Sequence, residues 1–411
     1  MSGAIPFKAA GEFATCDGHR AVVRIETINA DCSDVANECW PVFRLTEIRQ
    51  MTDPIRPGEV GRGAQSNPTN RFARIEVVVD EDSFDESSEE NPPRTKTQYF
   101  SDLSKSVVTE NDSPDVFFRY SINPYRGCSH GCSYCYARPT HEYLDLSAGL
   151  DFETKIFVKE RAPELFRDWL ARDRYRPEIV MMSGVTDCYQ PAERHFQLTR
   201  KCLEVALAAR QPIAIVTKNA LVTRDIDLLR QMAERNLVSV AISITTLDQA
   251  LTRSMEPRTS SPRARLRALR ELTDAGVPTH VMIAPVIPSL NDSQIPSVLK
   301  AASEAGATSA GYVLLRLPHT VKPVFLDWLA VALPNQRERI ESRLRDTRGG
   351  KLYEADFSTR MTGRGQIADQ IRQTFEVFAN KYGLNQKHEE LDTSQFVRPI
   401  PKSGQMWLFN D

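Results

Sequence analysis

Three cysteines fall within eight residues of one another, Cys128, Cys132 and Cys135, in the run Gly127-Cys128-Ser129-His130-Gly131-Cys132-Ser133-Tyr134-Cys135-Tyr136. Their spacing is C-x3-C-x2-C. Thiolates are ligands for zinc and for iron–sulfur clusters, and structural zinc sites and ordinary ferredoxin clusters take four protein ligands. A [4Fe–4S] cube held by these three cysteines would keep one iron without a protein ligand, free to chelate a small molecule. Gly127 and Gly131 suit a loop that closes tightly around such a group, because glycine allows backbone angles and approaches that a side chain blocks. A zinc knuckle completed by His130 or His141 is the other chemistry the same loop could carry.

Further polar residues sit where short apolar runs end. The run 179–182 leads into Ser183-Gly184-Val185-Thr186-Asp187-Cys188, where Thr186 and Asp187 offer a hydroxyl and a carboxylate to an amine or a ribose. As an alternative they cap a helix by accepting backbone N–H bonds. Lys218 follows the run 213–217 and suits a carboxylate, and Ser243 lies near the end of 238–244 and suits a ribose oxygen.

The elements that would position these residues alternate. From residue 118 onward, β-branched runs at 118–122, 156–158, 179–182, 213–217, 238–244, 280–284 and 310–315 are separated by amphipathic stretches at 163–171, 194–210, 225–234, 262–274 and 294–304. That alternation predicts βα units on a parallel sheet. Helical patterns return at 325–333, 336–345 and 366–382, as a closing element, before a tail whose Trp407-Leu408-Phe409 could dock on the body. Residues 1–60 show no sustained periodicity and are expected to form a poorly structured extension. Residues 61–115 lead into the core, with a strand expected at 75–79 and a solvated acidic loop at 80–90.

The cysteine loop resembles that of radical S-adenosylmethionine (radical SAM) enzymes, whose motif is C-x3-C-x-aromatic-C, with Tyr134 in the aromatic slot. The order Thr186-Asp187, Lys218, Ser243, Glu256-Pro257-Arg258, Arg265-Leu266 and Ala284-Pro285 is similar to that of spore photoproduct lyases and their relatives. Closer still, Asn123-Pro124-Tyr125-Arg126-Gly127-Cys128, Ala137-Arg138-Pro139-Thr140-His141-Glu142-Tyr143, Gly149-Leu150-Asp151-Phe152-Glu153-Thr154 and Glu256-Pro257-Arg258 resemble a bacterial radical SAM family of that group. The likeness runs from about Gly61 to the C-terminus.

The resemblance implies an open, partial TIM-type (βα)6 barrel over 116–320 with a helical extension over 321–411, 156–158 being a minor strand. It further implies a [4Fe–4S] cluster on Cys128, Cys132 and Cys135, and S-adenosylmethionine held by Tyr134, Thr186, Asp187, Lys218 and Ser243. Reductive cleavage would then give a 5'-deoxyadenosyl radical, with the electron coming from a donor such as flavodoxin or ferredoxin. One departure concerns the hydrogen donor. Where the lyases carry a donating cysteine this chain has Gly184, which argues against direct thymine-dimer repair and leaves Cys188, four residues on, as the candidate donor.

Composition narrows the classes. A net charge of −2 over 411 residues gives no overall basic field of the kind that announces nucleic acid. A local one exists, since Arg253, Arg258, Arg263, Arg265, Arg267 and Arg270 crowd one helix and the turn before it. Such a stretch meets phosphates in a nucleic-acid-binding protein, catalytic or not; at helical spacing it is also a solvated face with ion pairs. No signal peptide and no run of 18 apolar residues are evident, so a cytoplasmic chain is expected, in which the eight cysteines stay reduced.

Overall fold

The computed structural model describes residues 61–68, 96–386 and 390–400, together with the backbone of three N-terminal strands. Contacts divide the chain into two units, residues 1–54 with 71–93, and residues 55–70 with 94–411. The first holds β1 (Ala9–Ala14), β2 (Arg20–Ile28) and β3 (Val42–Leu45), an antiparallel sheet in the order β1-β2-β3. Three strands thus stand where the absence of periodicity led to an expectation of a poorly structured extension. β2 is rich in the β-branched residues that favour a pleated strand, but lacks the strict alternation that would reveal it. The strand expected at 75–79, the acidic loop at 80–90, Cys16, Cys32, Cys39 and Trp407-Leu408-Phe409 all lie outside the described residues.

The second unit is built on a seven-stranded sheet. Its strands are β5 (Val108–Glu110), β6 (Tyr120–Ile122), β9 (Val180–Met182), β10 (Ile213–Thr217), β11 (Val238–Ser243), β12 (Thr279–Val286) and β13 (Ser309–Leu314). Their order is β13-β12-β11-β10-β9-β6-β5, with β5 antiparallel to β6 and every other pair parallel. Six parallel strands match the six βα units read from the sequence, and the sheet stays open between β5 and β13. The minor strand is β8 (Lys155–Val158), which joins β4 (Gln98–Ser101) and β7 (Tyr125–Arg126) in a separate small sheet.

Helices cover the outer face because their apolar stripes match the strands' β-branched side chains. With the short α1 (Leu150–Thr154) and α6 (Gln249–Met255) between strands, α2 (Ala162–Leu170), α4 (Leu198–Ala208), α5 (Ile226–Ala233), α7 (Pro262–Asp274) and α8 (Ile295–Glu304) bury Phe166, Leu203, Leu229, Leu269 and Leu299 against Ile215, Val240 and Val281 in one core. The helix expected at 194–210 is two. Gln197 takes a left-handed turn (φ 52°), ending α3 (Glu193–Phe196), and the Glu193 carboxylate accepts Thr199 N–H at 3.0 Å to start α4 afresh.

The C-terminal helices close one side. α9 (Val321–Ala332) and α10 (Arg337–Asp346) bury Phe325, Trp328, Leu329, Ile340 and Leu344 in a second core that includes Cys132 and Tyr134. α11 (Gln366–Lys381) packs on α8. Among the described residues no helix is long and apolar enough to cross a membrane.

Candidate active site

The cysteine loop leaves β7 through two glycines with left-handed backbone, Gly127 (φ 77°) and Gly131 (φ 68°). A Cβ at Gly127 would lie 2.9 Å from His141 Cε1, and one at Gly131 2.7 Å from Glu153 Oε2, so both turns require glycine. Backbone bonds hold the loop from several sides. Cys128 N–H donates to Phe152 O at 2.9 Å, Ser133 N–H to Met255 O at 3.0 Å and Arg258 N–H to His130 O at 3.1 Å. Gln190 accepts Ser129 N–H at 3.0 Å and donates to Gly127 O at 3.0 Å.

Behind the loop lies a fully buried ion pair, Arg138 with Glu153, each 0% exposed. Arg138 also donates to Cys132 O at 2.8 Å. Glu153 accepts Gly63 N–H at 3.3 Å and Ala64 N–H at 2.7 Å, while Arg62 donates to its backbone carbonyl at 3.1 Å. Residues 61–68 therefore form a strap across the back of the loop. A Cβ at Gly63 would overlap the Gly131 carbonyl oxygen, so strap and loop touch backbone to backbone.

At the carboxyl ends of the parallel strands a cavity of about 540 Å³ opens, the place where ligands sit in barrels of this kind. Cys128, Cys132, Cys135, Tyr134, Thr186, Asp187, Lys218 and Ser243 all line it. Their partners differ from the simplest expectation. Asp187 accepts Thr217 Oγ1 at 2.7 Å, Lys218 N–H at 2.8 Å and Tyr189 N–H at 2.9 Å, and faces His130 Nδ1 at 3.4 Å. Its carboxylate is engaged in joining β9, β10 and the cysteine loop. Thr186 donates to Tyr125 O at 2.9 Å.

Lys218 is the open group of the set. Its Nζ donates to Ser243 Oγ at 2.8 Å and Ala284 O at 3.1 Å and stands 5.7 Å above the Tyr134 ring, with no carboxylate within 4.0 Å among the described residues. Beneath, the Tyr134 hydroxyl donates to Glu256, which also accepts Thr245 Oγ1 and the Arg265 guanidinium. Although burial alone would raise the Glu256 pKa, Arg265 and then Lys218 hold it below the usual carboxylate value. Arg265 is 1% exposed, so the basic stretch 253–270 is no uniform patch. Two of its outer members have partners, Arg267 with Glu271 at 3.7 Å and Arg258 with Thr97 Oγ1 at 3.0 Å.

Cys188 is not brought to the cavity. It is fully buried in the core beneath the sheet with Ile122, Cys202 and Leu203, and burial pushes its thiol well above the usual range. The structure does not bring the expected hydrogen donor to the cavity, because the turn that carries Thr186 and Asp187 there points the next side chain inward. Gly184 does line the cavity, but a Cβ on it would lie 2.7 Å from Ser121 Cβ, so the position is closed to a larger side chain.

The thiols fit an iron–sulfur cluster. All three are unpaired by disulfides, and burial raises each of their pKa values, with Arg138 opposing the rise at Cys135. A cluster would displace their protons, as coordination by thiolate requires. Of the rival ligands, His130 contacts Asn219 Nδ2 at 3.1 Å through Nε2 and Asp187 through Nδ1, burial lowering its pKa, and His141 Nε2 contacts Lys155 O at 2.9 Å while its Nδ1 is buried without a partner. Among the described residues no three His, Cys, Asp or Glu side chains converge on a single-ion site.

Glu153, Arg138, Gln190 and the Glu256–Arg265 pair were not singled out as site residues from sequence, although most of them fall in the motifs quoted above. Buried charges far apart in the chain leave no periodic signal.

Comparison with known proteins places this geometry. Residues 122–302 match the family model described as the radical SAM superfamily. An uncharacterized protein of Mycobacterium tuberculosis (strain H37Rv) is 41% identical over 219 residues, 53% of this chain and 64% of the relative. One of Methanocaldococcus jannaschii is 32% identical over 174 residues, 42% of this chain and 62% of the relative. The match thus spans somewhat less than two thirds of these relatives. A solved variant of spore photoproduct lyase superposes with a TM-score of 0.51 at 17% identity, covering 69% of this chain and 79% of that one, a likeness of fold. Residues 122–302 form a domain of the radical SAM superfamily.

Proposed function

We propose that the chain is a radical SAM enzyme in which Cys128, Cys132 and Cys135 hold a [4Fe–4S] cluster and the adjoining cavity holds S-adenosylmethionine and a substrate. One observation carries the reading: the three thiols, Tyr134, Lys218 and Ser243 share a single cavity at the strand ends. When bound, cluster and S-adenosylmethionine supply a 5'-deoxyadenosyl radical capable of abstracting a hydrogen atom, given one electron from a donor such as flavodoxin or ferredoxin.

The protein's part is to bind, orient and exclude water. Lys218 presents a cation, steadied by Ser243 and Ala284 O, to the carboxylate of S-adenosylmethionine. Tyr134 keeps its ring against the ligand because Glu256 anchors its hydroxyl. Asp187 and Thr186 act by holding the strand ends and the β7 backbone in register, since their polar atoms already have partners. A cysteine hydrogen donor as in the lyases finds no counterpart at Gly184.

Anaerobic purification tests the reading. The expected result is a brown protein with roughly four iron and four sulfide per chain, which releases 5'-deoxyadenosine on addition of dithionite and S-adenosylmethionine and loses both properties in Cys132→Ala. A colourless zinc protein would end it, and would return attention to a non-catalytic metal-binding role.

A further inference from the structure

One side of the cavity is formed by a cation that the reading above does not use. Arg316 follows β13, two residues beyond its last member, and lines the cavity. Its Nε is buried and has no acceptor, its Nη1 meets only Met361 Sδ at 3.5 Å, and its guanidinium lies 5.9 Å from the Tyr136 ring centroid. Among the described residues no carboxylate lies within 4.0 Å of it.

The surroundings keep this corner positive. Arg348 is buried nearby, donating to Leu315 O at 2.9 Å and Thr359 O at 3.0 Å, and burial together with the Arg316 charge lowers its pKa to about 10. Arg360 also lines the cavity, but it is neutralised by Asp115. Asp115 feels Arg316 at longer range and Glu354 feels Arg348, while Glu110, at the cavity rim, is paired with Arg119 at 2.6 Å. Arg316 is thus left without a counter-ion, and a buried guanidinium nitrogen without an acceptor is costly unless a ligand supplies one.

We infer that Arg316 receives an oxyanion, carboxylate or phosphate, carried by the substrate on an apolar body. The guanidinium supplies a planar fork of donors matched to such a group. The apolar body is called for by the walls around it, where Tyr136, Phe118, Val313, Leu315 and Met361 face the same space. The inference rests on the cavity being the substrate site of the proposed enzyme, and it names the chemistry by which that site selects.

The test is a binding measurement on the full chain as purified, with benzoate and phenyl phosphate as probes and benzyl alcohol as the uncharged control. Calorimetric titration should show the wild type binding at least one of the two anions and discriminating against the alcohol by tenfold or more. A preference between the anions tells carboxylate from phosphate. Arg316→Gln should weaken the anion at least tenfold, and Arg316→Lys, which keeps the charge but loses the fork, should weaken it less. Arg263→Ala, on the exposed face of α7, should change nothing. Equal affinity in wild type and both Arg316 variants, equal binding of the alcohol, or no binding of either anion overturns the inference. Release of 5'-deoxyadenosine by the wild type is measured separately, so the enzyme reading and the anion site can each fail alone.

Discussion

The cavity has two ends built on different principles. At the cysteine end the buried charges are matched: Arg138 to Glu153, Arg265 to Glu256, and Asp187 to Thr217, Lys218 N–H and Tyr189 N–H. At the Arg316 end a guanidinium nitrogen is buried without an acceptor and Tyr136 is 49% exposed. Matched buried charges hold a geometry fixed, whereas an unmatched one calls for a partner. The difference teaches where constancy and selectivity reside. On the proposed reading, the cysteine end is set before anything binds, and the far end is completed by what enters.

The sharpest way to break that contrast is to unmatch the cysteine end. Glu153→Gln keeps the side chain's size but leaves Arg138 buried without a counter-charge, a change that costs roughly 3–5 kcal/mol. Urea unfolding of the apo-protein should show that loss. Because Glu153 also binds Gly63 and Ala64, the strap should loosen and iron retention on gel filtration should fall. Full iron retention in the variant would show that the loop does not depend on the strap.

Much of this end was legible in sequence, and the part that was not has a common cause. The six parallel strands were marked by β-branched runs at the βα interval, and Lys218 and Ser243 by standing just where such runs end. Position at a strand end predicts which cavity a residue faces but not what it bonds. Asp187 reads in sequence as a ligand group or a helix cap and is in fact a junction between two strands and a loop. Arg265 reads as one of six surface arginines and is the buried partner of Glu256, nine residues earlier. Glu153 meets Arg62 from 91 residues away. Partnerships of that kind are set by how elements stack, and no local pattern records them.

Acid should distinguish the ends as well. His141 packs against Phe152 behind the loop, and burial lowers its pKa from 6.5 to about 4. The unfolded chain takes up a proton near pH 6.5 that the folded one refuses until about pH 4. Stability is therefore full above pH 6.5 and declines as pH falls toward 4, by about 3 kcal/mol from this group. His130, also lowered by burial, adds in the same direction. His141→Gln should flatten the slope of unfolding free energy between pH 6.5 and 4 by about one proton; an unaltered slope would show that His141 is accessible to water.

Lys218 is a cation of the matched half that still lacks a carboxylate within 4.0 Å among the described residues. Replacing it by alanine should remove a charge-assisted bond worth about 1.5–3 kcal/mol, so the dissociation constant for S-adenosylmethionine should rise by roughly 10- to 100-fold. Equilibrium dialysis with the reconstituted chain measures this. An unchanged constant would move the ligand's carboxylate elsewhere in the cavity, Arg316 being the other cation without a counter-ion, and would erase the division of labour between the ends.

The smallest effect is expected at Cys188, and it separates cavity from core. A thiol that serves the cavity must be reached from it, yet this one lies beneath the sheet beside Cys202, at 0% exposure. Cys188→Ala should cost about 1 kcal/mol, the price of a void the size of one methylene, and leave 5'-deoxyadenosine release at the wild-type rate. In the native apo-protein iodoacetamide should reach Cys135, the partly exposed thiol of the loop, well before Cys188, because burial keeps the latter protonated and shielded. Rapid alkylation of Cys188 would put it back among the cavity's reactive groups, and the hydrogen donor that Gly184 cannot supply would then have a candidate within the chain.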